Sequence, residues 1–304
     1  MSSGFHQIPI DQELILKNAF VTPDGHFKYL WIPFRLANAP AVFQRAINKA
    51  LGDLKNTIAL VYLDDILIPS ETFEKNLGSL GLVLQALRAA GFGLNMIKCL
   101  FFQKKLDYLG REISGDGIRP GERKVEALTK SPSPFSVKQV RHLMGLAGYF
   151  RKFIPEFATR TACKTKLTRE NEPFAWTEEK ETARKYIIDH LTSKTLLSVF
   201  NPELPTQLHT DASSLGYGAV LLQKSDGNLK VIGYFSKKTN RCEEKYSYKM
   251  ETLAVVSALK YLRIYLLGIQ VTLVTDCNAV KSTATKKDIA KSSQMVGIHA
   301  RLHF

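Results

Sequence analysis

The sequence contains no uninterrupted apolar run long enough for a membrane-spanning helix, which needs about 18 residues, so a helical span is excluded. Its first residues, Met1–Gly4, lack the charged and then apolar segments of a secretion signal. Only four cysteines occur among 304 residues, and no two of them have the CxxC spacing of a zinc site. These absences favour free thiols in a reducing compartment, either cytoplasmic or nuclear, over a secreted disulfide-bonded protein.

Positive charge is what the chain has in excess. Forty-two Lys and Arg residues against 28 Asp and Glu residues leave a net charge of +14. Hydrophobic residues make up 45% of the chain, which is ordinary for a globular protein, and the length allows two or three domains with their own cores. The charge favours a polyanionic partner such as nucleic acid, with a generally basic soluble protein as the alternative.

An adjacent pair of acids, Asp64 and Asp65, lies within the segment 57–69 between two apolar arms rich in β-branched residues. This pattern predicts a β-hairpin with buried arms and an exposed tip. Two carboxylates held at one tip repel each other, and a divalent cation that prefers hard oxygen ligands, Mg²⁺ or Mn²⁺, relieves that repulsion. The alternative is that Asp is simply a common turn residue.

Other segments predict the surrounding elements. The alternation in Gly4–Ile10 predicts a strand, and Pro40 and Gly52 mark the start and end of a helix. Glycines and prolines in 115–134 predict a linker. Ser136 is placed as the N-cap of a following helix with an apolar face and a basic, glycine-containing face.

Three further acids stand at element ends in the last third of the chain. Asp211 ends a predicted strand, Glu251 opens a helical run, and Asp276 follows the β-branched segment 271–275. Each acid taken singly is typical of a turn or a surface. They follow one another in the order strand–helix–strand, and the residues alone do not assign them a shared role.

Four ordered motifs resemble those of reverse transcriptases. Tyr62-Leu63-Asp64-Asp65 resembles the YxDD box, and Gly4–Ile10 resembles the segment that follows the first catalytic aspartate. The stretch Ile32–Gln44 is similar to the nucleotide-facing motif, and Tyr108-Leu109-Gly110 to the primer-grip turn. Their order and spacing resemble the polymerase of gypsy-type long-terminal-repeat retrotransposons, and the resemblance continues through the thumb-like phrase Leu143–Ile154 into an RNase H region.

The resemblance implies an α+β protein with three domains. Residues 1–114 are expected to form a polymerase palm, a ferredoxin-like antiparallel sheet with helices and partial fingers. Residues 115–204 are expected to form a helical thumb and connection, and residues 205–304 an RNase H-like α/β domain. The implied activities are RNA-directed DNA polymerase (a nucleotidyltransferase) and ribonuclease H (an endonuclease), each with two Mg²⁺ or Mn²⁺ ions.

The implied partners are an RNA template, a DNA primer, RNA/DNA hybrid and dNTPs, together with the rest of a Pol polyprotein. The implied location is the cytoplasm, within a virus-like particle, or the nucleus. Asp64 and Asp65 are the implied polymerase metal ligands, and Asp211, Glu251 and Asp276 the RNase H ligands. The implied substrate-binding residues are Phe5, as a steric gate against a 2′-hydroxyl, and Phe34, Arg35, Tyr62, Leu109 and Gly110. The predicted nucleic-acid-binding residues are Lys138, Arg141, Arg151 and Lys152.

The sequence departs from the family pattern at three places. The family's first catalytic aspartate is expected just before Met1, a fourth RNase H acid has no evident equivalent, and Arg35 stands where the family usually has Gly. We therefore expect impaired polymerisation and weak hydrolysis. The alternative is a catalytically dead remnant of a decayed element that still binds RNA/DNA hybrid.

Overall fold

The computed structural model describes residues 4–163, 174–193, 195–213, 215–240, 247–275 and 299–302. Its packing divides the chain into two compact units, Met1–Gln103 and Lys104–Phe304. The three-domain division at residues 114 and 204 stays a prediction. No helix within the described ranges is both long and apolar enough to cross a bilayer.

The first unit contains two hairpins, two α-helices and short 3₁₀ segments. Its elements are β1 (Ala19–Thr22), β2 (Gly25–Lys28), α1 (Ala39–Leu51), β3 (Leu60–Tyr62), β4 (Asp65–Leu67) and α2 (Phe73–Ala89), with 3₁₀ turns at Gly4–Gln7, Gln12–Asn18, Gly52–Leu54 and Met96–Lys98.

The ends of α1 confirm the prediction made from its sequence. Pro40 lies in the first turn, where its missing N–H removes no helical hydrogen bond, and Gly52 takes a φ of 50° just after the helix. The hydroxyl of Thr72 accepts a hydrogen bond from the Lys75 amide and caps α2. Both helices contribute to one apolar core, which comprises Phe43, Ile47, Leu51, Ala59, Val83 and Leu87.

Two predictions for this unit are wrong. Gly4–Gln7 forms a 3₁₀ turn rather than a strand, because Phe5 and Ile8 both pack on the core and a period of three residues puts them on one side. The hairpin arms are buried on one face only: Val61 packs on the core, whereas Leu60 and Tyr62 are 43% and 54% exposed. Successive side chains of a strand point to opposite faces, and only one face meets the helices.

The second unit begins with a small sheet and continues with helices before a larger sheet. Its elements are β5 (Lys105–Tyr108), β6 (Arg111–Ser114), β7 (Gly117–Pro120), α3 (Glu122–Lys130), α4 (Val137–Tyr149), α5 (Phe157–Arg160), α6 (Glu178–Thr192), β8 (Thr206–Ser213), β9 (Gly216–Ser225), β10 (Asn228–Lys238), α7 (Ser247–Tyr261), α8 (Arg263–Leu266), β11 (Gln270–Val274) and β12 (His299–Leu302).

The stretch 115–134 is not the predicted linker, since it contains β7 and α3. Its glycines and prolines lie at element boundaries, with Pro120 as the last residue of β7 and Pro132 beyond α3. Ser136 caps α4 as predicted, because its hydroxyl accepts a hydrogen bond from the Gln139 amide. Buried residues of α3, α4 and α6 and of the segments that follow α4 and α6 form a second core, which includes Leu128, Leu143, Ala147, Phe150, Phe153, Ile187 and Leu197.

The larger sheet has the strand order β10-β9-β8-β11-β12. Strands β8, β9 and β10 pair antiparallel, whereas β11 is parallel to β8 and β12 is parallel to β11. The helix α7 covers one face, and a third core lies beneath it, with Leu208, Leu221, Ala254, Val255, Ala258 and Val271 all fully buried. The mixture of helix and sheet confirms the α+β prediction.

Candidate active sites

The first acidic pair lies at the tip of the β3–β4 hairpin. Tyr62 pairs with Asp65 across the hairpin, so Leu63 and Asp64 form a two-residue loop. Leu63 takes a φ of 51°, in the left-handed region that a branched side chain disfavours. Both carboxylates and the Tyr62 ring are exposed, so the predicted ligands face solvent.

Gln44 of α1 fixes this loop, and sequence reasoning did not single it out. Its Oε1 accepts a hydrogen bond of 2.8 Å from the Leu63 amide. Its Nε2 donates to Asn48 Oδ1 at 3.0 Å and, at 3.4 Å, to the carbonyl of Val61. Gln44 ends the motif Ile32–Gln44, but nothing in its pattern distinguishes it from a surface polar residue of a helix.

Gly4 lies directly against the acidic tip. A Cβ placed on Gly4 would overlap Asp64 Oδ1 and would lie 2.9 Å from Phe43 Cζ. A side chain at position 4 would therefore have to displace the Asp64 carboxylate and press on the Phe43 ring. The glycine therefore permits Asp64 to approach the segment that carries Phe5.

The predicted nucleotide-facing aromatics lie together in this unit. The ring centroids of Phe5 and Phe34 are 5.7 Å apart, and Phe5 contacts the core residue Phe43 at 5.4 Å, both edge to face. The ring centroids of His6 and Phe34 are 4.9 Å apart, and Phe34 is 58% exposed. Arg35 follows with a φ of 72°, so it occupies the left-handed conformation that Gly takes at no cost.

Leu109 and Gly110 form the turn between β5 and β6 in the second unit. Their φ values are 52° and 69°, and Tyr108 pairs with Arg111 across the turn. Two consecutive positive φ values are typical of the tight hairpin turn expected for a primer grip. The Leu109 side chain is 38% exposed and is therefore accessible to a ligand.

The predicted nucleic-acid-binding residues fall into two groups. Lys138 and Arg141 are exposed on α4, and the space above Gly145 on the same helix is open. Arg151 instead donates from Nη2 to the carbonyl of Ser236 at 2.7 Å, and its guanidinium lies 5.4 Å from the Tyr261 ring centroid.

Lys152 is also half-buried. Burial, with a smaller contribution from the charge of Arg111, lowers the pKa of Lys152 to about 8. Arg151 and Lys152 thus lie in the packed region after α4, and Arg151 contacts the larger sheet directly. Their binding to nucleic acid stays a prediction.

The structure brings two of the three predicted RNase H acids to neighbouring positions. Asp211 is exposed on β8, where it pairs with Gly218 of β9. Glu251 of α7 is half-buried, and its Oε1 accepts a hydrogen bond of 3.2 Å from the amide of Ala212, the residue after Asp211. Strand β11 runs parallel to β8 with Val274 opposite His209, and Asp276 lies outside the described residues.

Both sites offer carboxylate oxygens, the donors that hard divalent cations prefer. Asp64 and Asp65 are adjacent on a hairpin whose loop is held by Gln44, and Asp211 and Glu251 are fixed by a sheet and a covering helix. Within the described ranges, no three His, Cys, Asp or Glu side chains approach closely enough to form a complete ion site. The donor chemistry fits Mg²⁺ or Mn²⁺, with further ligands needed to complete either site.

Two protein-family models match the chain. The model described as reverse transcriptase (RNA-dependent DNA polymerase) matches residues 1–113. The model described as an RNase H-like domain found in reverse transcriptase matches residues 176–273. The two matched segments contain the hairpin-tip acids and the Asp211–Glu251 pair, respectively.

Similar curated proteins are polyproteins of transposons. The chain is 40% identical over 282 residues to the retrovirus-related Pol polyprotein from transposon 297 of Drosophila melanogaster, which covers 91% of the chain and 26% of that protein. It is 35% identical to the corresponding polyprotein from transposon opus of the same species, over 88% of the chain and 28% of that protein. It is 34% identical to the transposon Tf2-3 polyprotein of Schizosaccharomyces pombe, over 88% of the chain and 20% of that protein. The chain thus spans about a quarter of the length of these relatives.

Solved structures show the same fold. The foamy viral protease-reverse transcriptase dRH in complex with double-stranded DNA matches with a TM-score of 0.85 and 21% identity. The match covers the whole of the present chain and 56% of the viral chain. The foamy viral protease-reverse transcriptase in complex with RNA/DNA hybrid matches with a TM-score of 0.82 and 21% identity. This match covers the whole of the present chain and 43% of the viral chain. These similarities confirm a reverse transcriptase fold with an RNase H-like region. The chain therefore carries a reverse transcriptase segment followed by an RNase H-like segment, and over most of its length it is similar to retrovirus-related Pol polyproteins of transposons.

Proposed function

We propose that the chain acts as the RNA-directed DNA polymerase and ribonuclease H of a retrotransposon, with two Mg²⁺ or Mn²⁺ ions at each site. The observation that carries the proposal is the Glu251 carboxylate, which is held against the end of β8 next to Asp211. Two such ions, when bound, supply activation of water and stabilisation of the leaving 3′-oxygen.

The protein's own contribution at the RNase H site is to fix the donors. The Ala212 amide donates to Glu251 Oε1 and sets the direction of that carboxylate from α7. Asp211 remains exposed on the neighbouring strand position, where a phosphate backbone has access to it. A rigid sheet and a packed helix hold both acids. The two carboxylates are therefore already in position when the substrate binds.

At the polymerase site, Asp64 and Asp65 are proposed to bind the metal ions and Phe5 to lie under the incoming sugar. The edge-to-face packing of Phe5 between Phe34 and Phe43 fixes its ring and supports a steric role. Phosphoryl transfer with two ions requires more ligands than these two carboxylates provide. We therefore expect residues 1–304 by themselves to extend a primer poorly.

The proposed ligands are an RNA template, a DNA primer, their hybrid and dNTPs. Lys138 and Arg141 are exposed on α4 beside the open surface of Gly145, which allows a phosphate backbone to come close. The solved neighbours are complexes with double-stranded DNA and with RNA/DNA hybrid, and the net charge of +14 fits a polyanion. The proposed location remains the cytoplasm, in a virus-like particle, or the nucleus.

The test is cleavage of the RNA strand of an end-labelled RNA/DNA hybrid with and without Mg²⁺. The Asp211→Asn substitution is expected to lower the cleavage rate at least about 100-fold, a loss typical of removing one group that stabilises the transition state. Asp226→Asn is the matched control, because Asp226 lies in the β9–β10 turn of the same sheet and bonds to Lys230. Cleavage that survives Asp211→Asn contradicts the metal assignment.

The second candidate function is binding of hybrid without cleavage. Its supporting observation is the exposed basic face of α4, where Lys138 and Arg141 lie beside the open surface of Gly145. To separate the two functions, the binding of the hybrid is measured by fluorescence anisotropy beside the cleavage assay. Tight binding by the unmodified chain with no Mg²⁺-dependent cleavage favours the second.

A further inference from the structure

The Leu109–Gly110 turn is held by side chains of the helices that follow it in the chain. The hydroxyl of Tyr149, the last residue of α4, donates a hydrogen bond to the carbonyl of Leu109. The carbonyl of Gly110 accepts a second bond, of 3.1 Å, from the Gly121 amide just before α3. Both carbonyl groups of the turn therefore accept hydrogen bonds from residues that follow the turn in the chain, Tyr149 and Gly121.

The side chain of Lys124 completes this attachment from α3. Its ammonium lies 3.5 Å from the centroid of the Tyr149 ring, and the guanidinium of Arg111 lies 5.2 Å from the same centroid. The stem of Lys124 covers Gly110 so closely that a Cβ there would lie 2.6 Å from Lys124 Cε. Cation–π contacts of this kind restrain both the ring and the lysine.

Tyr149 is itself held in place by its neighbour in the chain. Tyr149 is followed by Phe150, which is fully buried, and the two rings meet edge to face with centroids 5.0 Å apart. A non-glycine residue at positive φ, such as Leu109, is retained only where the surroundings determine its conformation. The hydrogen bond from Tyr149 is such a restraint, because it acts on the carbonyl of the strained residue.

We propose that Tyr149, supported by Lys124, is a positioning residue that fixes the Leu109–Gly110 turn against the 3′ end of the primer strand. The hydroxyl sets the direction of the Leu109 peptide, and the exposed Leu109 side chain then presents a fixed surface to the terminal nucleotide. This inference rests on the proposed polymerase function. It assigns to α4 a second role, distinct from the exposed basic face that carries Lys138 and Arg141.

The test uses a DNA primer with 2-aminopurine as its 3′-terminal nucleotide, annealed to an RNA template and bound to the full chain. Tyr149→Phe keeps the ring and removes only the hydroxyl, and Lys124→Met keeps an apolar stem and removes the ammonium. Loss of one hydrogen bond corresponds to about a two- to tenfold fall in the equilibrium constant between the ordered and the disordered turn. Both variants are therefore expected to change the terminal 2-aminopurine emission in the same direction, with unchanged affinity for the duplex.

Two controls make the result specific. A probe placed well inside the duplex is expected to report no change. Tyr186→Phe removes the hydroxyl of a tyrosine of α6 whose ring lies against Arg160 and His190, and it is expected to behave as the unmodified chain. Circular dichroism confirms that each variant is folded.

The outcomes separate the inference from the function on which it rests. Unaltered terminal emission in a folded Tyr149→Phe chain that binds the duplex overturns the positioning role alone, as does an equal change at the internal probe. Failure of the unmodified chain to bind the duplex overturns the proposed function and the positioning role together.

Discussion

The loop of the acidic hairpin depends on one side chain of a neighbouring helix, and removing it has a calculable effect. Gln44→Leu deletes the acceptor of the 2.8 Å hydrogen bond from the Leu63 amide while keeping a side chain of similar size. A half-buried amide left without its partner costs about 1–3 kcal/mol. Leu63 also sits at a φ of 51°, a conformation that costs about 1–2 kcal/mol for an L-residue, so the loop has a more relaxed alternative once the bond is lost.

The assay is native-state hydrogen exchange at the Leu63 amide, which is the donor of the bond in question. A loss of about 1–3 kcal/mol lowers the protection of this amide about 5- to 150-fold, at 1.4 kcal/mol for each factor of ten. Gln44→Glu retains an acceptor oxygen for the Leu63 amide but places its other oxygen where Nε2 donated to Asn48 Oδ1 and to the Val61 carbonyl, so it is expected to lose less protection than Gln44→Leu. Gln103→Leu is the control, because Gln103 is exposed and its Nε2 bonds to the nearby Phe101 carbonyl.

Two results would refute this reasoning. One is unchanged protection of the Leu63 amide in the Gln44→Leu chain, which means that the bond does not restrain the loop. The other is an equal loss of protection in Gln103→Leu, which means that any perturbation of this unit opens the hairpin.

Two further substitutions test the backbone around the same site by urea unfolding. Gly4→Ala is expected to destabilise the chain by about 1–3 kcal/mol, since its Cβ would overlap Asp64 Oδ1. Gly81→Ala in α2, where the space around the glycine is open, is the control and is expected to stabilise the chain by about 0.5–1 kcal/mol. A Gly4→Ala chain as stable as the unmodified one would show that the close approach is absent. Arg35→Gly is expected to stabilise by about 1 kcal/mol because the φ of 72° suits Gly, and Asn56→Gly, at a φ of 64° that Asn tolerates, is expected to change stability by less than about 0.5 kcal/mol. Destabilisation by Arg35→Gly would indicate that the arginine side chain makes a contact worth more than the strain.

Much of the local structure was predictable because its causes lie within a few residues. Pro40 and Gly52 marked the ends of α1, and Ser136 the start of α4, since each acts on backbone groups only a few positions away. The 3₁₀ turn at Gly4–Gln7 was missed because the alternation in Gly4–Ile10 is compatible with a strand, and the core on which Phe5 packs is formed by residues far along the chain.

The candidate sites show the same division. The sequence by itself determined which acids are the candidates for the chemistry: the adjacent Asp64 and Asp65, and Asp211 and Glu251 in that order. The tertiary structure alone decided what holds them, since Gln44 reaches Leu63 over 19 positions and Glu251 reaches Ala212 over 39. A sequence pattern states which face of an element is apolar, but a hydrogen bond between distant residues exists only after those faces have packed.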